Sequence, residues 1–234
     1  MEALFGKTLD ELTALAVEIG LPKFTGKQLA EWLYRKDIRA IDEMTNLSKK
    51  NRDLLSQNYE FGLVEPTRVQ ESVDGTKKYL FPTGQNKFIE TAMIPDDDRK
   101  TVCVSSQVGC KMGCLFCMTA KQGFQGQLSA GEIVNQIRSI PECREVSNIV
   151  YMGMGEPFDN LEQVLKSLEI LTSEWGFAMS PRRITVSTIG IIPGMLTFLE
   201  KSDAHLAVSL HTPFDDERKR LMPVQVAYPI ADVV

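Results

Sequence analysis

Gly109-Cys110-Lys111-Met112-Gly113-Cys114-Leu115-Phe116-Cys117 sets three cysteines at Cys-x3-Cys-x2-Cys spacing. Three thiolates can hold three irons of a cubane [4Fe–4S] cluster and leave the fourth iron open to a chelating ligand. Soft sulfur donors suit iron–sulfur clusters and zinc alike. The count separates them, because a structural zinc site takes four ligands, usually as two pairs. Two other readings stay open. Buried cysteines often serve as small hydrophobes. Cys143 would supply a fourth zinc thiolate, although Ile140-Pro141-Glu142-Cys143-Arg144-Glu145 shows no paired-ligand spacing.

Around that stretch, strands and helices alternate. Strands are expected at 101–104, 146–152, 183–187 and 204–210, and helices at 129–140, 160–172 and 195–201. Ser129 with Glu132 three residues on forms a capping box at the first of these helices. Such alternation predicts an α/β fold with a parallel sheet and right-handed crossovers. Four strands fit a partial (β/α) barrel, whose chemistry sits at the carboxyl ends of the strands. The candidate residues fall at those ends. The three cysteines follow the first strand, and Gly153-Met154-Gly155-Glu156-Pro157 follows the second. Ser187-Thr188 ends the third, and Ser209-Leu210-His211 ends the fourth.

Upstream the period changes. Residues 1–62 read as a small helical domain. Leu9, Leu12, Leu15, Ala16 and Ile19 recur at helical spacing, with Thr8 as N-cap and Gly20 as stop. Further helices are expected at 27–35 and 48–58. Residues 63–97 read as a β-meander linker. Asp74-Gly75 is the hairpin turn between Arg68–Val73 and Lys77–Phe81, and 83–86 turns into 88–94. Residues 98–234 form the barrel portion. The helical domain reads either as a packing appendage or as a substrate-recognition module.

Composition bounds the function. The chain has 234 residues, 43% hydrophobic, with a formal net charge of −5. No run of 18 apolar residues exists, so no membrane span or membrane partner is expected. The first residues lack the pattern of a secretory signal. Clustered cysteines without one point to metal and a reducing cytoplasm. An acidic chain is unsuited to strong nonspecific binding of nucleic acid, which lives on phosphate neutralisation. Local basic patches remain possible docking points: Arg182-Arg183 and Arg218-Lys219-Arg220 either serve an RNA or form solvated surface.

From Asp74 onward the chain resembles the RlmN/Cfr family of radical S-adenosylmethionine (SAM) RNA methyltransferases. The stretches that carry the resemblance are 74–78 (DGTKK), 90–95 (ETAMIP), 103–110 (CVSSQVGC), 152–157 (MGMGEP), 186–188 (VST) and 206–211 (LAVSLH). The N-terminal helices also resemble that family's accessory domain. The resemblance implies a radical SAM barrel, a [4Fe–4S] cluster on Cys110, Cys114 and Cys117, and SAM as cofactor. Phe116 would pack by the SAM adenine. Gly153 and Gly155 would let backbone approach the methionine moiety, and Glu156 would accept from its amino group. Ser187, Ser209, Leu210 and His211 would complete the SAM site. Glu90 would be the general base and Cys103 a catalytic thiol. On residue type alone, Cys103 reads as a small buried hydrophobe and Glu90 as a polar outward strand residue.

The implied reaction methylates C2 of an adenosine in 23S rRNA and tRNA. A methylcysteine near the family's C-terminus donates the carbon, Glu90 removes the ring proton, and Cys103 releases the product by forming a disulfide. C8 methylation of the same rRNA adenosine, another radical SAM reaction, and a noncatalytic cluster- or RNA-binding fragment are the alternatives. A reductase or flavodoxin-type electron donor is the further partner implied. The sequence stops at Val234, soon after the fourth strand, whereas the family continues through further strands to the methyl-carrying cysteine. The reading therefore expects a truncated product, with an exposed edge strand and incomplete methyl transfer.

Overall fold

Leu12, Leu15 and Ala16 line the buried face of α1 (Leu9–Glu18), as their spacing predicts. The structure is a computed structural model describing residues 1–84 and 86–234. Thr8 caps α1 in a full capping box with Glu11, satisfying two orphan amides. The chain begins with β1 (Glu2–Ala3) ahead of α1 and continues into α2 (Thr25–Ala30), which runs on into a π turn, Glu31–Arg35. The helix expected at 27–35 is therefore split. In the π turn Lys36 N–H donates to Glu31 O at 3.1 Å. The wider turn rotates Tyr34 into the core beside Leu33 and leaves Trp32 half-buried. Ser48 caps α3 (Lys49–Asn58), and β2 (Tyr59–Glu60) pairs in parallel with β1. That two-residue ribbon is absent from the sequence reading, because two residues carry no period.

Next come β3 (Arg68–Glu71), β4 (Lys77–Thr83), β5 (Lys87–Asp96) and β6 (Arg99–Cys103), paired antiparallel in sequence order. Gly75 takes φ +80° in the predicted hairpin turn. The turn expected at 83–86 includes Gln85, which lies outside the described residues. A small ribbon, β7 (Gln107–Val108) with β8 (Gly126–Gln127), brackets the cysteine stretch and the short helix α4 (Met118–Lys121). Ser129 and Glu132 close the expected capping box on α5 (Ala130–Arg138). Then follow β9 (Asn148–Tyr151), α6 (Leu161–Thr172), β10 (Ile184–Thr188), α7 (Ile192–Lys201) and β11 (His205–Val208). Finally α8 (Asp215–Leu221) and α9 (Ile230–Val233) flank a 3-10 turn, Pro223–Val226; the sequence reading has neither helix.

The seven main strands form one sheet in the order β11-β10-β9-β6-β5-β4-β3. The pairs β6–β9, β9–β10 and β10–β11 are parallel. The fold is thus α/β, a partial (β/α) barrel of four parallel strands, and the meander supplies the antiparallel half of the same sheet. One face buries Val102, Ile149, Ile184 and Val186 in a core shared with Ile133, Val134 and Ile137 of α5 and Val164, Leu168 and Leu171 of α6. β11 is an edge strand. No helix among the described residues is long and apolar enough to cross a membrane.

The helical unit docks on this core. A Cβ on Gly6 would stand 2.3 Å from Gly131 Cα, so only glycine permits the contact of the first loop with α5. Asn135 exchanges two hydrogen bonds with the Val64 backbone, at 2.9 and 2.8 Å. Arg138, almost fully buried, donates to Lys36 O and to Asp37.

The meander is pinned by Glu142, in the loop after α5. Its carboxylate accepts from Lys77 Nζ and from Tyr79 Oη, both at 2.7 Å. Burial pushes the Glu142 carboxyl up, but the Lys77 and Tyr79 hydrogen bonds outweigh it and hold the pKa below the ordinary value. Glu142→Ala should cost about 2–3 kcal/mol, since it strands a buried phenol and an ammonium. That lowers Tm by about 5–10 °C in a domain of this size. A carboxyl with a depressed folded pKa contributes stability above its unfolded pKa and loses it as pH falls through the folded one. The gap between parent and variant should therefore close on acidification, as thermal melts across pH 3–7 would show.

Candidate functional site

The site is assembled by Ser105, Ser106 and Gln107, the residues that leave β6. Their polar groups are buried, where partners are the rule; the Ser106 hydroxyl has none among the described residues, and the rest are satisfied as follows. Gln136, on α5, supplies the first set. Its Oε1 accepts from Ser105 N–H at 2.8 Å and Thr91 Oγ1 at 2.7 Å, while its Nε2 donates to Ser105 O at 2.9 Å. Ser105 Oγ donates to Glu90 O at 2.6 Å and accepts from Met154 N–H at 2.9 Å. Gln107 Oε1 accepts from Glu156 N–H at 2.8 Å, and its Nε2 donates to Gln127 and Asp159. Asn160 Nδ2 donates to Ser106 O and Leu128 O. One short segment thus ties β5, the Gly153–Glu156 loop and the cysteine stretch into a single frame.

That frame surrounds a cavity of about 280 Å³ at the carboxyl ends of the parallel strands. It is lined by Cys110, Cys114 and Cys117, by Phe116, by Gly153, Gly155 and Glu156, and by Ser187, Ser209 and His211. Ten of the thirteen sequence-predicted site residues thus meet around one cavity. The glycines are required by space. A Cβ on Gly153 would lie 2.7 Å from Val104 O, and one on Gly155, at φ +100°, 2.5 Å from Gln107 Cβ. Phe116 and His211 stack with ring centroids 4.3 Å apart and planes tilted by 43°. His211 holds φ +62°, a left-handed conformation uncommon for a side-chain-bearing residue. The Ser187 and Ser209 hydroxyls stand 3.4 Å apart.

Burial pushes the Cys110 thiol up, helped by Glu156, Cys117 and Asp159. Burial, then Cys110, Cys117 and Glu156, pushes Cys114 up to about 11. The three sulfurs therefore feel one another. Among the described residues, however, no three His, Cys, Asp or Glu side chains stand close enough to hold one metal ion. A tetrahedral zinc with bonds of about 2.3 Å would need its sulfurs about 3.8 Å apart. A cubane binds each thiolate on a different iron and so needs a wider triangle. Donor type and donor count around one cavity fit the cluster. Cys143 packs against the core instead and does not line the cavity.

Glu156 is 3% exposed. Burial raises its pKa against the hydrogen bonds that lower it. Its carboxylate accepts from Thr188 Oγ1 at 2.7 Å, Phe158 N–H at 3.0 Å and Ile189 N–H at 3.1 Å. A carboxylate has about four acceptor positions, so one is left for a ligand in the cavity.

Three predicted residues lie outside the lining. Leu210 stands between two lining residues, Ser209 and His211, without lining the cavity itself; its carbonyl accepts from Thr212 N–H at 2.8 Å. Cys103 ends β6 opposite Ala92 of β5, and burial raises its thiol pKa. Glu90 is exposed and pairs with Lys78 at 3.4 Å. Two residues from Ala92, it sits diagonally from Cys103 on the same sheet face, about 7–8 Å away. Glu90 N–H donates to Met154 Sδ at 3.4 Å, joining it to the cavity loop. All five cysteines are free thiols, so the expected disulfide has no counterpart here. The basic run 218–220 is also corrected. Lys219 and Arg220 are exposed, but Arg218 is completely buried, because one face of α8 turns inward. The sequence reading gave no role to Ser105, Gln107, Gln136 or Asn160. A Ser-Ser-Gln run leaving a buried strand was the available signal, since such groups demand partners.

Comparison with known proteins adds to this geometry. Residues 104–230 match the model described as "Radical SAM superfamily", and residues 3–61 match "Ribosomal RNA large subunit methyltransferase N-terminal domain". A protein of Phocaeicola vulgatus named "Probable dual-specificity RNA methyltransferase RlmN" is 56% identical over 232 residues, 99% of this chain and 66% of its own length. A Bacteroides thetaiotaomicron protein of the same name is also 56% identical, covering 99% of this chain and 67% of that protein. "Dual-specificity RNA methyltransferase RlmN" of Geotalea uraniireducens is 43% identical over 97% of this chain and 66% of its own. The crystal structure of a radical SAM methyltransferase from Sphaerobacter thermophilus superposes with a TM-score of 0.92 at 40% identity, over 100% of this chain and 70% of that one. The chain spans about two thirds of the length of the curated relatives it matches.

Proposed function

We propose that this chain, which belongs to the radical SAM superfamily and within it to the RlmN family, serves methylation of adenine C2 in 23S rRNA and tRNA. The observation that carries the reading is the convergence of three thiols, the Gly-Met-Gly-Glu loop and two strand-end serines on one cavity. The curated relatives' names supply the dual RNA specificity. Methylation at C8 is the alternative regiochemistry.

A [4Fe–4S] cluster and SAM, when bound, supply one-electron chemistry for an electrophilic ring carbon that ordinary methyl transfer does not reach. The chain's residues do the rest. Cys110, Cys114 and Cys117 bind the cluster. Gly153 and Gly155 open the backbone to the methionine moiety of SAM, and the free acceptor position of Glu156 takes its amino group. Ser187 and Ser209 donate to SAM, the backbone at Leu210 adjoins it, and the Phe116–His211 pair gives the adenine an aromatic wall. Glu90, on the open sheet face, takes the ring proton, and Lys78 keeps its carboxylate oriented. Cys103, its neighbour on that face, is the thiol that releases product. We assign 1–62 as an accessory domain, 63–97 as the connecting meander and 98–234 as the radical SAM portion. A flavodoxin-type reductase in the cytoplasm is the electron source in this reading.

The test is anaerobic reconstitution of the chain with iron and sulfide, followed by EPR of the reduced protein with and without SAM. A [4Fe–4S] signal that shifts on SAM addition is expected. A cluster blind to SAM, or none, would overturn the proposal.

A further inference from the structure

Arg218 is a buried side chain near the cavity whose charge has no ion-pair partner among the described residues. Its relative exposure is 0%. Its guanidinium donates to three neutral acceptors: Gln225 Oε1, Tyr228 O at 3.3 Å and Ile189 O at 2.6 Å. Its Nε is buried with no partner. Asp215 makes no direct hydrogen bond to it: the Gln225 amide stands between them, its Nε2 donating to Asp215 Oδ1 at 2.7 Å, so Asp215 acts on the guanidinium only through space. No carboxylate among the described residues forms an ion pair with Arg218. A buried cation in such surroundings is costly unless an opposite charge lies near.

The location says which charge. Ile189 lines the cavity, and its peptide is gripped from both sides: Glu156 accepts from its N–H and Arg218 donates to its C=O. On the other flank, Leu115 N–H, between two cluster cysteines, donates to Leu221 O of α8 at 3.0 Å. Cys114, a cluster cysteine that is negative once it ligates, is close enough to act on the Arg218 charge, as is Asp215. The remaining charges at the site are mostly acidic. Glu156 and Asp159 both raise the Cys110 pKa, and Lys111, exposed, is already paired with Asp159 at 2.7 Å.

We propose that Arg218 is a positioning residue and the buried counter-charge of the cluster site. It braces the cysteine stretch and the Ile189 loop, and it stabilises the reduced cluster, which carries one more electron than the oxidised form. The inference rests on the cluster reading above.

The test is an EPR-monitored redox titration of the reconstituted chain with dithionite, without SAM. Arg218→Met and Arg218→Gln remove the charge; Arg218→Lys keeps it and loses the planar fork. Lys219→Met removes an exposed charge next door. The neutral variants should reduce at least tenfold less favourably, about 59 mV more negative for one electron. R218K should stay within threefold of the parent, and K219M should match it. The glutamine variant keeps polar contacts should methionine loosen α8. A neutral variant with a full cluster and the parental potential overturns the proposal. So does loss of the cluster from all three Arg218 variants alike, which would leave Arg218 a brace only. Failure of the parent chain to hold a cluster would instead sink the functional reading, and this proposal with it.

Discussion

Cys117→Ala should abolish the cluster while leaving the fold intact. Cys117 lies at the cavity mouth, half-buried, as the N-cap residue of the short helix α4 with no side-chain cap bond. Its side chain therefore supports little besides the ligand. Iron in the reconstituted chain should fall from about four per chain toward background, and SAM cleavage should drop at least ~10³-fold, more than 4 kcal/mol of barrier. Circular dichroism should barely change. Cys143→Ala is the matched contrast. That thiol packs against the core, so its loss should cost about 1 kcal/mol of stability and no iron. Iron retained in C117A, or lost in C143A, would mean a different ligand set, zinc included. Iron analysis and the absorbance of the two proteins decide between them.

What the sequence made legible was whatever acts locally. The N-cap at Thr8 and the capping box of Ser129 with Glu132 need only residues close in sequence, and both are present. Asp74-Gly75 announced its own turn. Strand–helix alternation from residue 100 onward implied parallel pairing, and with it the gathering of distant loops at one end of the sheet. Elements without a period escaped: the ribbon of β1 and β2, the π turn that carries Tyr34 inward, and the short helices α8 and α9. Arg218 shows why composition misleads at such places. In Arg218-Lys219-Arg220 three cations look alike, yet the helical turn sends one to 0% exposure and two to solvent. The buried amide hub escaped for a related reason. The Ser-Ser-Gln run signalled that partners were needed, but Gln107 and Gln136 find theirs far away in sequence, so nothing local says which.

Gly155→Ala should do more damage to SAM binding than its single methyl suggests. Gly155 holds φ +100°, and the new Cβ would meet Gln107 at 2.5 Å to its Cβ and 2.8 Å to its backbone nitrogen. The backbone neighbour cannot swing aside, so the loop must move, at about 2–4 kcal/mol. Movement breaks the bond from Glu156 N–H to Gln107 Oε1 and shifts the carboxylate that accepts from Thr188 and Ile189. SAM affinity should fall about 100-fold, or ~2.7 kcal/mol, with iron content held. Glu156→Gln separates loop position from charge. It keeps the backbone bond to Gln107 but turns one acceptor oxygen into a donor facing donors. If the SAM-induced EPR shift titrates at the parental concentration in G155A, the loop is not the floor of the SAM site. If it weakens in G155A but not in E156Q, backbone approach matters and the carboxylate contact does not. Weakening in both is the expected result, because one hydrogen-bond frame holds the glycine and the acid in place together.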